Sequence, residues 1–474
     1  MLVHDMLPLI DKLDNFYPPL NLFELFLDEP FCFFLDSAMD PFKLGRFSLI
    51  GGSPFLILKS RGNEISIIQD NCEEKLYGNP LDILGKYLEE YHIMQNQSLI
   101  PCCGGAVGYF SYDIARHIER LPSIAVDDLN LPECWFGFYD AMLVLDNLTK
   151  QTLIVSTGLP EQGEKKRLSK ARERLSILIN KCKGIKDSDQ NYQYKTCGRS
   201  RVEIKSNFTP HAYCKAVEKA RQYIINGDIF EVNLSQRFEA EVKIPPWELY
   251  KRLRNLNPAP FAAYIDCGEV TIVSASPERF LKLQGDYVET RPIKGTRRRG
   301  KTPEEDEANA RDLLKSTKDH AENMMIVDLE RNDLGRVCRY GTVKVTELAI
   351  LEKFPTVFHL TSTITGRLRE DKTRMDLLKA TLPGGSITGA PKIRAMEIID
   401  ELEPTRRSIY TGNIGYLSFD GNMDLNIVIR TFLLKRNRAY FQAGGAVVYD
   451  SDPEAEYQET LDKARALMEA LALD

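Results

Sequence analysis

The order of strand-like and helix-like segments constrains the fold of this chain more than any other feature. Short apolar runs alternate with turn residues, and the clearest of these strand patterns are residues 31–34, 55–59, 65–69, 141–146, 152–156, 414–419, 423–434 and 438–448. The last three patterns predict an antiparallel meander, with turns at Asp420-Gly421 and at residues 435–438. Because strands and helices do not alternate as they do in parallel βαβ units, the order predicts an α+β protein with large antiparallel sheets.

A polar, lysine-rich stretch at residues 181–206 interrupts these patterns. It follows a helical pattern over residues 161–179 and shows little apolar periodicity of its own. The stretch therefore predicts a linker between an N-terminal region, residues 1–180, and a C-terminal region, residues 207–474.

Helical patterns occur at several places after the linker. Thr209 and Pro210 predict the N-cap and the first residue of a helix that ends at Asn226-Gly227. Further helices are predicted near residues 312–333, from Pro391 as first residue to Glu403, and from Pro453 onward.

Composition excludes several classes of function. The formal net charge is −6 and the sequence has no basic stripe, which argues against nucleic acid as a partner. No uninterrupted apolar run approaches ~20 residues and no signal peptide is evident at the start, so we expect a soluble, cytoplasmic protein. The ten scattered cysteines suit a reducing compartment, and the six histidines form no zinc motif. A metal, if bound, should be a hard cation held by carboxylates.

The hexapeptide Arg291-Pro-Ile-Lys-Gly-Thr296 places a lysine where a nucleophile could lie. It follows a predicted hairpin, residues 279–290, that turns at Gln284-Gly285-Asp286. Reflection through this turn brings Glu278 to the same end of the sheet as Lys294. A carboxyl group and an amine that meet there could form an acid–nucleophile pair. For the hexapeptide alone, a surface lysine after a turn is the alternative.

Two acidic helical patterns indicate a cation site. Glu322 lies on a strongly apolar helix, and residues 456, 459 and 463 share one face of the last helix. Each set alone is typical of a solvated face or an ordinary ion pair. Together they could supply two carboxylates to Mg²⁺. The glycine-rich residues 384–390, which precede a helix, fit either an anion site or a plain tight turn.

Arg430 lies in an apolar strand pattern, where an arginine must be paired or must meet an anion. Tyr416 and Gly444-Gly445 lie on flanking strands, where they could complete a carboxylate pocket. A core tyrosine and a closely packed glycine pair are the competing interpretations.

Several long motifs, in a fixed order, carry a resemblance to a known family. They are Ser-Pro-Glu-Arg-Phe, Arg-Pro-Ile-Lys-Gly-Thr, Ala-Glu-Asn-x-Met-Ile-Val-Asp-Leu-x-Arg-Asn-Asp, Pro-Gly-Gly-Ser-Ile-Thr-Gly-Ala-Pro-Lys and Glu-Tyr-Gln-Glu-Thr. Residues 208–470 resemble the chorismate-utilising enzymes, and residues 1–180 resemble the N-terminal part of their amine-transferring members. The resemblance implies that family's fold, in which large antiparallel sheets pack as a sandwich with surrounding helices.

Within this family, the lysine of the Pro-Ile-Lys-Gly-Thr motif resembles the members that aminate chorismate at C4. Members that aminate C2, and so form anthranilate, typically have alanine there. The resemblance implies that Lys294 attacks C2 and that ammonia then enters at C4 and expels the lysine. The product would be 4-amino-4-deoxychorismate, a precursor of 4-aminobenzoate and folate. A lysine with a pKa of ~10.4 is almost fully protonated at neutral pH, so we expect desolvation, Arg291 or Mg²⁺ to lower the pKa of Lys294.

The resemblance also implies roles for the other residues of the site. Glu278 would protonate the leaving hydroxyl group, and Glu322 and Glu459 would hold Mg²⁺. Tyr416 and Arg430 would bind the enolpyruvyl carboxylate. The residues expected near the substrate's carboxylates are Gly295, Thr296, His359, Gly444, Gly445, Ala446 and Lys463.

Two residues depart from the family pattern. Amine-using members usually have glutamine where this chain has Glu231, so Glu231 is a catalytic candidate whose role stays open. Ala446 stands where many relatives have glycine. A further group matches a tryptophan-binding region of relatives, with a remnant core pocket as the alternative: Ser37, Leu44, Gly45, Arg46, Phe47, Pro260, Phe261 and Ala262.

The sequence shows no glutaminase segment, so we expect a separate glutamine amidotransferase subunit to supply ammonia, in a heterodimer. Two alternatives remain at this point. The chain could aminate chorismate at C2, or it could be a non-catalytic, tryptophan-responsive partner of an amidotransferase. The second alternative would require a broken set of catalytic residues, whereas Lys294, Glu278, Glu322 and Glu459 are all present.

Overall fold

The computed structural model describes residues 8–94, 100–185 and 202–472. Strands β1 to β12 are Leu9–Lys12, Phe33–Asp36, Phe47–Gly51, Leu56–Arg61, Glu64–Gln69, Cys72–Tyr77, Gly105–Phe110, Cys134–Tyr139, Ala141–Asp146, Gln151–Ser156, Ile204–Ser206 and Glu231–Glu241. Strands β13 to β24 are Phe261–Asp266, Thr271–Ser276, Arg279–Gln284, Tyr287–Arg291, Ile293–Arg298, Lys344–Lys353, Val357–Arg367, Gly389–Ala390, Asn413–Ser418, Met423–Asn426, Thr431–Lys435 and Arg438–Val447.

Ten α-helices surround these strands in the described ranges. Helices α1 to α10 are Pro19–Glu24, Pro80–Glu90, Glu164–Cys182, Pro210–Ile225, Pro246–Leu256, Pro303–Lys315, Thr317–Gly335, Arg374–Thr381, Lys392–Leu402 and Pro453–Ala472. Short 3₁₀ segments occur at Tyr112–His117 and Gly385–Ile387. Among these helices, none combines the length and the apolar character that a membrane crossing requires.

The strands form two large sheets, and all of their pairings are antiparallel. The first sheet has the order β1-β10-β9-β3-β2-β13-β14-β23-β24-β12-β11, with β20 beside β12. The second has the order β17-β19-β16-β15-β22-β21-β7-β8-β4-β5-β6, with β18 beside β19. The predicted α+β class with large antiparallel sheets is therefore confirmed.

Both sheets contain strands from each side of the predicted linker. In the first sheet β2 pairs with β13, and in the second β7 pairs with β21. A core of buried apolar residues likewise joins the two parts, from Tyr109 and Phe136 to Leu281 and Leu417. Residues 186–201 of the predicted linker lie outside the described residues, so the predicted domain boundaries stay a prediction.

Local sequence explains where several helices begin. The Thr209 side chain accepts a hydrogen bond from the Ala212 N–H at 3.2 Å, as an N-cap does, and the predicted start of α4 is confirmed. The single helix predicted over residues 312–333 is instead two helices. Ser316 ends α6 in an extended conformation and caps α7 by accepting from the Asp319 N–H. Pro391 is the N-cap of α9 and not its first residue.

The strand predicted over residues 423–434 is two strands that belong to different sheets. β22 pairs with β21 and β15 in the second sheet, whereas β23 pairs with β14 and β24 in the first. The chain crosses between the sheets at residues 427–430, and Arg430 has a φ of 54° there. A non-glycine residue in this left-handed region is strained, and such strain clusters at functional sites.

A buried ion pair fixes the chain beneath this crossing. The Arg407 guanidinium donates to both carboxylate oxygens of Glu403 at 2.7 and 2.9 Å, and both side chains are 2 % exposed. Arg407 also donates to the carbonyl oxygens of Ile387 and Asn233, and Glu403 accepts from Ser235. The pair therefore holds β12 against the glycine-rich loop.

We expect Glu403→Ala to lower the free energy of unfolding by about 3 kcal/mol or more, because Arg407 would be left as an uncompensated buried charge. Arg331→Ala, which breaks an exposed pair with Asp328, should cost under about 0.5 kcal/mol. Chemical denaturation of both variants measures the difference. Equal small effects would show that the buried pair does not hold the chain as described.

Candidate active site

A cavity of about 500 Å³ opens between β12, β17, β24, α7, α10 and the glycine-rich loop. Its volume is in the range of small-molecule sites. The structure brings most of the predicted site residues to its walls, namely Glu278, Lys294, Gly295, Thr296, Glu322, His359, Arg430, Gly444, Ala446, Glu459 and Lys463.

Lys294 is buried in β17 and forms an ion pair with Glu231, the first residue of β12. Its Nζ donates to Glu231 Oε1 at 2.7 Å, and Glu231 is fully buried with Oε2 unpaired. Burial lowers the pKa of Lys294, but the nearby carboxylates of Glu231, Glu322 and Glu278 outweigh it, so the pKa is raised. The expectation of a lowered pKa was wrong, because Arg291 pairs with Glu352 and Glu347 while carboxylates surround the lysine.

Glu278 lies at the end of the hairpin, as its sequence predicted. Arg279 pairs with Arg291 in the β15–β16 register, and the Ile293 N–H donates to Glu278 Oε1 at 3.4 Å. The Ser386 hydroxyl donates to the same oxygen at 2.6 Å. Burial raises the pKa of Glu278 to about 7, against the hydrogen bonds and against the charges of Lys294 and Lys463. Near neutral pH, therefore, a large fraction of Glu278 carries a proton that it can donate.

Ser386 is a residue that the sequence analysis did not single out. It belongs to the glycine-rich loop, for which an anion site or a tight turn was predicted. The loop is held by hydrogen bonds from Gly385 N–H to Glu330 and from Asn233 to the Ser386 carbonyl. No local pattern could have indicated its contact with Glu278, which lies 108 positions earlier in the chain.

Three carboxylates gather where α7 and α10 meet. Lys318 Nζ lies 3.8 Å from Glu322 Oε1 and 3.7 Å from Glu456 Oε1. A Cβ atom on Gly445 would lie 3.0 Å from Glu456 Oε2 and 3.2 Å from Glu459 Oε1, so the absence of a side chain there makes room for both carboxylates. Glu456 was noted on the helical face but was not proposed as a ligand.

The electrostatics of this cluster fit a hard divalent cation. Burial raises the pKa of Glu322 to about 7, and burial and Glu459 raise the pKa of Glu456. Lys463 Nζ, at 2.5 Å, lowers the pKa of Glu459. Buried oxygens of Glu322 and Glu456 lack hydrogen-bond partners. In the described residues no group of three or more His, Cys, Asp or Glu forms a ready metal cage, but Mg²⁺ commonly takes only one or two protein carboxylates plus substrate oxygens and water.

The cavity also carries positive and neutral donors. Burial lowers the pKa of Arg430 to about 10, and no carboxylate of the described residues lies within ion-pair distance of its guanidinium. Burial and the charge of Arg430 lower the pKa of His359 to about 3, so its ring is neutral. His359 Nδ1 is 2.9 Å from the Thr296 hydroxyl, and the two residues pair between β17 and β19. Lys463 also donates to the Gly444 carbonyl at 3.0 Å.

The structure does not bring Tyr416 to this cavity. Tyr416 lies on β21, opposite Val107 and Asp424, and lines a second cavity of about 470 Å³. Tyr410, just before the same strand, lines the first cavity together with Arg430. Tyr416 was predicted from its place on a flanking strand and from the resemblance, but the pleat turns that side chain to the other cavity.

The second cavity contains the residues predicted for tryptophan. Its walls include Ser37, Leu44, Arg46, Phe47, Pro260, Phe261 and Ala262. Gly45 shapes the loop instead, because its Cβ would lie 1.8 Å from the Met39 carbonyl oxygen. Arg279 stacks over the Phe261 ring at 4.9 Å and pairs with Asp424, so the cavity offers both an apolar wall and charges.

The fold is that of the chorismate-utilising enzymes. The profile of the chorismate binding enzyme family matches residues 42–469, and the chain belongs to this family. It is 43 % identical to anthranilate synthase component 1 of Acetivibrio thermocellus, over 96 % of this chain and 92 % of the relative. It is 39 % identical to aminodeoxychorismate synthase component 1 of Bacillus subtilis, over 90 % of each chain.

Solved structures agree with this assignment. Anthranilate synthase component I from Streptococcus pneumoniae superposes with a TM-score of 0.78 at 38 % identity, and the match covers 89 % of this chain and 91 % of the other. The isochorismate synthase MenF of Escherichia coli superposes with a TM-score of 0.73 over 98 % of this chain and 94 % of the other, and at 17 % identity it supports the fold alone. The comparisons therefore establish the family, and relatives of both amination types resemble the chain.

The pKa of Glu278 yields a pH prediction. If the protonated carboxyl group is required, chorismate consumption should fall as pH rises through about 7, because the acid form is lost above its pKa. Glu278→Gln should reduce the rate by about a hundredfold or more and abolish this alkaline decline. Rates measured from pH 5.5 to 9 test this, with exposed Glu370→Gln as the control. An unchanged profile in Glu278→Gln would rule out Glu278 as the acid.

Proposed function

We propose that the chain is an aminodeoxychorismate synthase component I, which converts chorismate and ammonia to 4-amino-4-deoxychorismate. The observation that carries this proposal is a buried lysine amine, Lys294, beside a buried carboxylic acid, Glu278, in one cavity. A nucleophile and an acid that are both buried in one cavity suit displacement of a hydroxyl group through a covalent intermediate.

Lys294 must lose a proton before it can attack. Glu231 is its direct partner at 2.7 Å, so the ammonium proton passes to Glu231 as the substrate fills the cavity and excludes water. The free amine then bonds to C2 of chorismate, the two conjugated ring double bonds each shift by one position toward C4, and the C4 hydroxyl group leaves as water with the proton of Glu278. Ser386 stabilises the Glu278 carboxylate that remains.

The second half of the reaction reverses the shift. Ammonia bonds to C4, both double bonds move back, and the bond between C2 and Lys294 breaks, so that the lysine leaves as a neutral amine. Glu231 then returns its proton to Lys294, and Glu278 is reprotonated from solvent. The net change is loss of one water molecule and gain of one ammonia at C4. The proton that Glu278 takes from solvent is matched by the positive charge of the new C4 ammonium group, so atoms and charges balance.

Substrate binding follows from the charges of the cavity. Arg430 has a free guanidinium suited to a bidentate grip on the enolpyruvyl carboxylate, and Tyr410 beside it supplies a hydroxyl group. Mg²⁺ held by Glu322 and Glu459, with Glu456 close by, would neutralise the ring carboxylate. Gly444, Ala446, Thr296 and Lys463 also line the cavity.

The second candidate is an anthranilate synthase component I, which uses the same scaffold for C2 amination. Its support is the 43 % identity to such an enzyme. We favour C4 amination because a lysine that attacks C2 prevents ammonia from entering there. The relatives are named component 1, which supports a separate amidotransferase subunit as the ammonia donor. Tryptophan binding in the second cavity stays a prediction from the resemblance.

We expect the wild-type chain, given chorismate, Mg²⁺ and an ammonium salt, to form the C4-aminated product. Lys294→Ala should lower that rate at least about a hundredfold. Lys294→Ala alone leaves Glu231 buried without its ion-pair partner. A second variant therefore combines Lys294→Ala with Glu231→Gln, which removes the unpaired charge. Chromatography and mass spectrometry against both product standards measure the outcome.

Exposed Lys344→Ala is the matched control for the loss of a lysine. Anthranilate as the main wild-type product would overturn C4 amination. Full C4 activity in both Lys294 variants, with folding verified by thermal melts, would instead exclude the covalent step.

The Mg²⁺ proposal makes a separate prediction. Glu322→Gln and Glu459→Gln should each raise the Mg²⁺ concentration for half-maximal activity at least about tenfold, because each removes a charged ligand. Calorimetric titration of Mg²⁺ into the chain without substrate provides a readout independent of turnover. Asp328→Asn, an exposed change on the same helix, should leave both values unchanged. Unaltered Mg²⁺ dependence in both glutamate variants would return these residues to ordinary ion-pair roles.

A further inference from the structure

Four large apolar side chains are exposed where α4, β12, α9 and the end of β24 meet. Ile225 is 52 % exposed, Phe230 71 %, Ile393 44 % and Tyr449 60 %. We refer to these four residues as the apolar face. Scattered single apolar residues are ordinary on protein surfaces, but a contiguous group marks an interaction site.

Hydrogen bonds and strand register show that the four residues lie together. The Phe230 N–H donates to the Ala390 carbonyl at 2.7 Å, three positions before Ile393. Val232 pairs with Val447, which places Phe230 and Tyr449 at the same end of two neighbouring strands. Arg221, one helical turn before Ile225, donates to the Tyr449 carbonyl.

The apolar face adjoins the catalytic cavity. Phe230 directly precedes Glu231, and successive side chains of an extended chain point to opposite sides. Phe230 therefore faces solvent while Glu231 reaches Lys294 inside the cavity. Phe230 is one residue from Glu231, the ion-pair partner of Lys294. A protein bound at this surface is therefore suitably placed to deliver a small, diffusible reactant to the cavity.

Several of the surrounding charges are paired within the chain. Arg394 pairs with Asp228 and Glu397, Lys219 pairs with Glu401, and Arg221 pairs with Glu218. An aromatic and aliphatic centre with a polar rim is the usual anatomy of a protein–protein interface.

We propose that the apolar face is the docking surface for the glutamine amidotransferase subunit that supplies ammonia. This inference rests on the proposed function, in which ammonia must reach C4 beside Lys294. The relatives' designation as component 1 supports the existence of a second component. Docking here places the ammonia source beside the cavity that consumes it.

The test uses Ile225→Glu and Tyr449→Glu, two exposed positions outside the catalytic machinery. In titrations with the purified cognate amidotransferase subunit, each variant should weaken binding at least about tenfold, because a charge enters an apolar contact. Glutamine-dependent amination at limiting partner should fall accordingly, whereas ammonium-dependent amination by the chain alone should stay within about twofold of wild type.

Tyr340→Glu is the matched control, since Tyr340 is 94 % exposed and follows the far end of α7. At about 1.5 Å per residue, that end lies roughly 20 Å from Glu322. Wild-type affinity in both face variants would overturn the proposal, as would an equal loss in the control. Loss of self-association with partner affinity intact would assign the face to a second copy of the chain and also overturn it.

The outcomes separate this proposal from the proposed function. If the wild-type chain with ammonium forms no C4-aminated product, the activity assignment fails. The binding titration does not depend on which product forms, so it still decides whether the apolar face holds the amidotransferase.

Discussion

The ion pair between Glu231 and Lys294 is the interaction on which the site depends, because it joins the two sheets where the cavity opens. Glu231 begins β12 in the first sheet, and Lys294 lies on β17 in the second. Breaking a buried pair by removing one partner typically costs about 3–5 kcal/mol. The pair thus keeps the Lys294 amine fixed and protonated until substrate excludes water. The proton then passes to Glu231, and both groups become neutral. Chemistry and architecture are coupled in this one contact.

Desolvation is the common cause of the unusual ionisation in the cavity. It raises the pKa of both Glu278 and Glu322 to about 7, and it lowers the pKa of Arg430 to about 10. Acidic groups gather where α7 and α10 meet, and the lining also includes cationic or neutral donors such as Arg430, His359 and Thr296. A substrate with two carboxylates matches this lining when a cation binds the acidic groups. The apolar face outside β12 then extends the same site to a protein partner.

Sequence patterns predicted the local structure well where a few adjacent residues decide it. The turn at residues 284–286 set the β15–β16 hairpin, and Thr209 with Pro210 set the start of α4. Patterns failed where a competing local interaction or the sheet packing decided. Ser316 caps a new helix inside an apparently continuous helical pattern. The pattern at residues 423–434 has apolar residues on both sides of Arg430, so its periodicity cannot show that the chain changes sheets there.

By itself, the sequence determined the chemical types in the site and the hairpin that places Glu278 beside Lys294, because both depend on residues close together in the chain. The family, too, follows from the order of its motifs. Only the tertiary structure decided that Tyr410 and not Tyr416 faces Arg430, that Ser386 bonds to Glu278, and that carboxylates raise the pKa of Lys294. Those properties arise from side chains distant in sequence, whose distances and shared burial are set when the two sheets pack.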